Sequence, residues 1–181
     1  MTIPANTIVY CDANFLVAYG AKQTKQPEIQ KRAQILFAEL LSKDCKIAAS
    51  PLSFDEAWNG IRKEVGPKKI KNKIYFLLNK LLNKLGLYYK NSGVIGFSFG
   101  DVLNDIKNFT EKLIVSPKFV VIQFPTLQEK KGITQSLDNI DRLKFKPRDS
   151  FHLSIMQLNN VQYLITRDKK FEKSKITVIS F

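Results

Sequence analysis

The segment Ile8-Val9-Tyr10-Cys11-Asp12 decides the fold. Its first four residues are apolar or aromatic with no polar alternation, which predicts a short buried strand of the kind found in parallel sheets. A carboxylate placed directly after such a strand is costly to bury without a partner. Because open parallel sheets bind ligands at the carboxyl ends of their strands, the segment predicts an α/β fold with Asp12 at its functional edge.

The rest of the chain alternates short apolar runs with longer amphipathic segments. Strands are predicted at 46–49, 119–123, 163–166 and 176–179, and helices at 29–41, 51–61, 70–85, 101–115 and 147–158. Thr126 and Glu129 form a capping box that predicts one more helix. This alternation implies a mainly parallel sheet covered on both faces, which is a three-layer α/β/α fold. We expect a single domain over residues 1–181.

The charge of the chain favours polyanionic partners. The 181 residues include 29 Lys+Arg and 16 Asp+Glu, a net charge of +13. Residues 61–90 hold nine Lys and Arg against a single Glu, a local charge of +8. The candidate nucleic-acid contacts in this stretch are Lys68, Lys69, Lys71 and Lys73. A merely solvated basic face is the alternative.

The same composition excludes several classes of protein. No apolar run approaches the roughly 20 residues that span a bilayer, and the N-terminal residues lack the pattern of a secretory signal. We therefore expect a cytoplasmic protein without a membrane partner. Cys11 and Cys45 adjoin apolar runs, which favours buried free thiols over a disulfide. With His152 as the single histidine they cannot build a Cys/His zinc site, so any metal must be held by oxygen, as Mg²⁺ or Mn²⁺ would be.

Four acidic residues are placed so that they can reach one edge of the predicted sheet. They are Asp12 after the first strand, Glu56 on the helix after the second, Asp149 at the start of the helix before the fourth, and Asp168 just after the fourth. Converging carboxylates repel one another unless a divalent cation compensates them. Such a cation can orient a phosphodiester and activate water, so no protein nucleophile is needed. The sequence has neither a nucleophile elbow nor a phosphate-cradling glycine loop.

Each acidic residue also has a simpler interpretation. Asp149 could be only a helix cap, and Asp168 an ordinary turn residue. Asp55 competes with Glu56, and helical phase does not settle which of the two faces the site. His152 lies one helical turn after Asp149. There a structural role, or one of supporting a metal ligand, is favoured over that of a general base.

Four segments resemble the sequence motifs of PIN domains. They are Ile8-Val9-Tyr10-Cys11-Asp12-Ala13-Asn14, Ser50-Pro51-Leu52-Ser53-Phe54-Asp55-Glu56, Pro147-Arg148-Asp149-Ser150-Phe151-His152-Leu153 and Leu164-Ile165-Thr166-Arg167-Asp168-Lys169-Lys170-Phe171. The fourth is the most specific, and together the four span nearly the whole chain in the expected order. The resemblance implies metal-binding, catalytic carboxylates at Asp12, Glu56, Asp149 and Asp168, with Asn14 and Thr166 as supporting polar groups.

The resemblance also implies a function. PIN domains of this kind are Mg²⁺- or Mn²⁺-dependent endoribonucleases that leave a 3′-hydroxyl and a 5′-phosphate. Many small members are toxins of VapC-type toxin–antitoxin pairs and are usually dimeric, so RNA, an antitoxin protein and a second copy of the chain are the implied partners. The chain departs from compact members at about residues 66–116, where it is longer. This enlarged helical region could hold RNA, dock an antitoxin, or mark a different subgroup.

Two other functions compete with the nuclease. A non-catalytic RNA-binding or scaffold protein could keep the PIN fold, although loss of acidic residues would be expected in that case and all four are present. A phosphoaspartyl phosphatase or receiver domain also uses an aspartate at a strand end. That class needs a second carboxylate beside it, which Asp12-Ala13-Asn14 lacks.

Overall fold

The computed structural model describes residues 3–20, 26–69, 84 and 99–181 of the chain. Its strands are β1 (Ile8–Cys11), β2 (Lys46–Ala49), β3 (Phe119–Val121), β4 (Tyr163–Ile165) and β5 (Thr177–Ile179). They form one sheet in the order β3-β2-β1-β4-β5, and every neighbouring pair is parallel. The predicted parallel sheet is confirmed, and each strand ends within two residues of its predicted bounds.

Strand β1 is central, as its composition predicts. Val9 is in register with Ile47 of β2 on one side and with Tyr163 of β4 on the other. Val9 and Cys11 face one hydrophobic cluster while Tyr10 faces another, and all three are fully buried. Both faces of this strand therefore lie in the core, which is why its sequence shows no polar alternation.

The helices are α1 (Ala13–Gly20), α2 (Pro27–Ser42), α3 (Pro51–Lys69), α4 (Leu103–Ile114), α5 (Glu129–Leu143) and α6 (Pro147–Leu158). Short 3-10 turns lie at Gly100–Val102 and Lys169–Lys173. Within the described ranges, none of these helices combines the length and apolar character needed to cross a bilayer.

The two faces of the sheet carry separate hydrophobic clusters. One cluster joins β1 and β2 to side chains of α1, α2, α3 and α4, with Phe15, Leu40 and Leu113 among its buried members. The other joins the opposite face to α6 and the second 3-10 turn, through Leu153, Met156 and Phe171. Helices thus cover both faces, and the three-layer α/β/α prediction is confirmed.

Two local features differ from the sequence-based prediction. Helix α5 begins at Glu129 after Gln128, and no side chain caps its first turn, so the Thr126/Glu129 capping box is wrong. A turn closed by the bond from the Gln128 amide to the Pro125 carbonyl (2.9 Å) precedes the helix instead. Helix α1, which the sequence analysis did not foresee, begins directly after Asp12.

Part of the enlarged region at 66–116 can be compared with the prediction. Helix α3 continues to Lys69, and α4 lies within the predicted helix at 101–115. The predicted helix at 70–85 and the loop that follows it lie outside the described residues, apart from residue 84. The proposed RNA contacts Lys71 and Lys73 also lie outside, and only the backbone is described at Lys68 and Lys69.

Candidate functional site

Asp12 stands at the end of β1 and is surrounded by hydrogen-bond donors. Its Oδ1 accepts from the Ala13 amide at 2.6 Å, and its Oδ2 accepts from Asn14 Nδ2 and from Thr166 Oγ1, both at 2.7 Å. Asn14 Nδ2 also donates to Thr166 Oγ1 at 3.1 Å. The pairing of β1 with β4 brings Thr166, 154 residues away, beside Asp12. Asn14 and Thr166 thus lie where the sequence analysis expected supporting polar groups.

These hydrogen bonds hold the Asp12 carboxylate but do not neutralise it. Ala13, Asn14 and Thr166 contribute uncharged donors. Burial raises the pKa of Asp12 above its ordinary value, and the hydrogen bond from Thr166 and the charge of His152 offset only part of this effect. The carboxylate is therefore fixed in direction while its negative charge remains poorly compensated.

Of the adjacent acidic residues Asp55 and Glu56 on α3, Glu56 is the one that lies beside Asp12. Its Oε2 lies 3.2 Å from His152 Nε2, and its Oε1 lies 3.6 Å from an Arg148 nitrogen. Asp55 is more exposed and contacts Arg148 at 3.6 Å, so the choice that helical phase left open falls on Glu56. Burial alone would raise the pKa of Glu56, but the hydrogen bond and charge of His152, followed by Arg148, hold that pKa below its ordinary value.

A buried hydrogen-bond network supports Glu56 from below. His152 Nδ1 lies 2.6 Å from the Tyr10 hydroxyl, which donates to Ser50 Oγ at 2.6 Å and lies 3.0 Å from Ser53 Oγ. Tyr10 and both serines are fully buried, and His152 is 3% exposed. Because a carboxylate only accepts hydrogen bonds, Nε2 must carry the proton shared with Glu56. With both ring nitrogens engaged, His152 can fix the direction of Glu56.

Asp149 and Asp168 form a second acidic pair around a lysine. Lys170 Nζ lies 2.7 Å from Asp149 Oδ2 and 2.5 Å from Asp168 Oδ2. Asp149 sits in the first turn of α6, and Asp168 immediately precedes the 3-10 turn that contains Lys170. We call Asp12 and Glu56 the inner pair, and Asp149 and Asp168 the outer pair.

A chain of hydrogen bonds through Thr166 links the inner pair to the outer pair. Thr166 Oγ1 donates to Asp12 and accepts from the Asp168 amide at 3.0 Å. Asp149, a member of the outer pair, and His152, which contacts Glu56 of the inner pair, lie one turn apart on α6. The structure therefore brings the four predicted carboxylates to the edge of the sheet where β1 and β4 end.

The inner pair has the donor atoms that a hard divalent cation requires. One carboxylate oxygen of Asp12 and one of Glu56 lie within 4.8 Å of each other, and a nitrogen of His152, already hydrogen-bonded, lies within the same distance of both. Among the described residues, three buried side-chain atoms have no hydrogen-bond partner, namely Asn14 Oδ1, Asp149 Oδ2 and Ser150 Oγ, and the first belongs to a residue that donates to Asp12. Carboxylate and amide oxygens are the ligands that Mg²⁺ and Mn²⁺ prefer. The residues present thus fit such an ion.

A groove of about 280 Å³ lies beside the inner pair. Its lining combines Asn14 and Glu56 with apolar Val17 and Ile29 and with Arg167. Mixed polar and apolar surface next to fixed carboxylates can accommodate part of an extended ligand.

Sequence reasoning missed the roles of Lys170 and Tyr10. Lys170 was visible only as part of the fourth motif, and its spacing does not reveal an ion pair with Asp149. Tyr10 did carry a signal, because a tyrosine in a strand buried on both faces needs a partner for its hydroxyl. Ser50 and Ser53, three residues apart at the start of a helix, were the available partners.

Comparison with known proteins shows likeness in structure but none in sequence. No protein-family model matches the chain, and no curated protein matches it significantly. VapC20 of Mycobacterium tuberculosis, a toxin that cleaves the sarcin–ricin loop, superposes with a TM-score of 0.54 at 15% identity, covering 94% of this chain and 97% of that one. VapBC2 of Rickettsia felis, solved bound to a DNA fragment from its promoter, gives 0.52 at 15% identity, covering 96% and 98%. The chain thus has the PIN-like fold of these toxin proteins.

Proposed function

We propose that the chain is a metal-dependent endoribonuclease. The observation that carries the proposal is the convergence of the inner and outer pairs at the carboxyl edge of β1 and β4, in a fold shared with VapC proteins. Converging carboxylates are costly to gather unless a cation is bound there. The net charge of +13 fits a polyanionic substrate.

The residues of the site would divide the work as follows. Asp12 and Glu56 would hold Mg²⁺ or Mn²⁺, with Asp149 and Asp168 completing the acidic site. When bound, such an ion supplies Lewis acidity toward a phosphodiester and an attacking water. Thr166 keeps Asp12 directed through its 2.7 Å hydrogen bond. His152 holds Glu56 and, being buried with both nitrogens engaged, is placed to orient rather than to take a proton from water.

The proposed reaction adds water across the bond between phosphorus and the 3′-oxygen. The water oxygen ends on the 5′-phosphate, and a proton ends on the leaving 3′-oxygen. No covalent enzyme intermediate is required. Arg148, with its side chain 58% exposed at the edge of Glu56, can reach a phosphate oxygen without uncovering buried charge.

The test is cleavage of RNA by purified protein with Mg²⁺ or Mn²⁺ and with excess EDTA. We expect cutting that requires the ion and yields 5′-phosphate ends. Cutting that continues fully in chelator would refute the proposal. Metal and RNA binding without any cutting would instead favour the non-catalytic RNA-binding or scaffold function.

We further propose that RNA contacts extend to Lys68, Lys69, Lys71 and Lys73. The support is the local charge of +8 over residues 61–90. Each phosphate contact adds about 0.7–0.9 to the slope of log affinity against log salt. Replacing the four lysines by Gln should flatten this slope, measured by fluorescence anisotropy, without changing metal binding. An unchanged slope would place the RNA path elsewhere.

The proposal includes two protein partners. The likeness to VapBC2 supports an antitoxin partner, and a homodimer is the expected state of the free protein. Size-exclusion chromatography with light scattering tests the dimer, and a monomer at micromolar concentration would contradict it. An antitoxin should be encoded beside this chain, and its co-expression should suppress RNA cleavage.

A further inference from the structure

We propose that the Lys170 ammonium is a built-in cation that takes the place of a second divalent ion between Asp149 and Asp168. The chain would then bind one divalent ion, at the inner pair. This inference rests on the proposed function, because it assumes that the carboxylates hold a metal. It specifies that the inner pair, and not the outer pair, holds that metal.

The geometry places Lys170 between the two outer carboxylates. Its Nζ lies 2.7 Å from Asp149 Oδ2 and 2.5 Å from Asp168 Oδ2, which is ion-pair distance to both, although Asp149 Oδ2 has no hydrogen bond of good geometry. Asp149 is 15% exposed and Lys170 is 32% exposed, so the contact is partly shielded from water. A second divalent ion, if Asp149 and Asp168 were to hold one, would have to displace this ammonium.

The backbone holds Lys170 in that position. Its amide donates to Asp168 Oδ1 at 3.1 Å, so the side chain starts from a turn fixed to one of the two carboxylates. The next residue, Phe171, is 2% exposed and packs edge-on against Phe145 with ring centroids 5.2 Å apart. The turn is therefore anchored in the core, and the Lys170 side chain extends from a backbone position that is fixed.

The negative charge of the inner pair is compensated differently, because Lys170 contacts both members of the outer pair and neither member of the inner pair. The hydrogen bonds to Asp12 come from uncharged donors. Glu56 meets His152 at 3.2 Å, and Arg148 approaches it only at 3.6 Å from an exposed position. An added cation therefore gains more at the inner pair than at the outer pair.

The experiment counts bound Mn²⁺ by isothermal titration calorimetry, checked by electron paramagnetic resonance of the free ion. The proteins are wild type, Lys170→Gln and the control Lys169→Gln, which removes the same charge from an exposed neighbour. We expect one ion in wild type and in the control, and two in Lys170→Gln. Two ions in wild type, or an unchanged count in a folded Lys170→Gln protein, would overturn the inference.

A second variant covers the case in which Lys170→Gln does not fold. Asp149→Asn removes one outer carboxylate, and we expect wild-type stoichiometry with affinity changed less than tenfold. Loss of the ion in Asp149→Asn would place it at the outer pair and overturn the inference. Absence of Mn²⁺ binding in every protein, wild type included, would overturn the proposed function as well, and this distinguishes the two failures.

Discussion

The inner and outer pairs contain the same kind of chemical group but meet different surroundings. Asp12 lies at the end of a strand buried on both faces and receives only uncharged donors, so burial raises its pKa. Asp149 and Asp168 lie at the starts of a helix and a turn, where Lys170 bridges them. The contrast teaches that the source of countercharge, and not the number of carboxylates, decides where an external cation gains most.

Removing the charge of Asp12 should have the largest effect on activity. Asp12→Asn is expected to lower RNA cleavage by on the order of 100-fold or more, about 3 kcal/mol of transition-state stabilisation. It should also remove most of the rise in melting temperature that Mn²⁺ causes in wild type. Asp55→Asn is the matched control and should retain both. Equal loss in the two variants would mean that Asp12 has no special place in the site.

An outer carboxylate should matter less for metal binding than an inner one. Asp149→Asn leaves Asp12 and Glu56 intact, so Mn²⁺ should still raise its melting temperature while cleavage falls by roughly 10-fold, about 1.4 kcal/mol. The measurement is a set of melting curves with EDTA and with Mn²⁺, beside cleavage rates. A variant that loses the Mn²⁺ response as fully as Asp12→Asn would erase the distinction between the pairs.

The network beneath Glu56 offers a way to weaken the inner pair alone. Tyr10→Phe leaves His152 Nδ1 and two serine hydroxyls without their common partner, which should cost about 1–3 kcal/mol of stability. Through the freed His152 and Glu56, Mn²⁺ affinity should fall roughly 10–100-fold. Tyr19→Phe is the control, because Tyr19 stacks on Phe37 through its ring, which phenylalanine keeps. Unchanged Mn²⁺ affinity in folded Tyr10→Phe would show that the network does not position Glu56.

The uncompensated charge of Asp12 should also appear as a pH dependence of stability. Because its pKa is raised in the folded chain, Asp12 binds its proton more tightly when folded. Its contribution is therefore fully present below the unfolded pKa and is lost as pH rises through the folded pKa. The free energy of unfolding of wild type minus that of Asp12→Asn, from urea titrations in EDTA, should fall as pH rises above the ordinary aspartate range, about pH 4. A difference that rises with pH would contradict the assigned direction.

Most of the fold could be predicted because its signals are local. The strands around Tyr10 and Ala48 are runs of apolar residues, and α6 begins at Pro147, which suits a first helical turn. Helix α1 was missed because it lacks amphipathic periodicity. Five of its eight residues are buried, and its start is fixed by Asp12, whose carbonyl accepts from the Phe15 and Leu16 amides.

For the site, the sequence could predict which carboxylates lie at strand ends, but not which side chains contact them. Asp12 follows β1 directly and Asp168 follows β4 after two residues, so topology alone brings them to one edge. The partners of these residues depend on side-chain directions that spacing does not encode. Lys170 turns toward Asp149, 21 residues earlier in the chain, and Tyr10 reaches His152 across 142 residues. Such contacts become visible only once the layers are packed.

The central position of β1 sets the order in which the site is completed during synthesis. Asp12 leaves the ribosome early, whereas its partner Thr166 is made 154 residues later. At about 5–20 residues per second, that interval is roughly 8–30 s. Until then β1 can pair with β2, but the edge that receives β4 stays open and the carboxylates stay apart. A nascent chain of this topology therefore cannot bring the inner and outer pairs together until residue 168 has emerged.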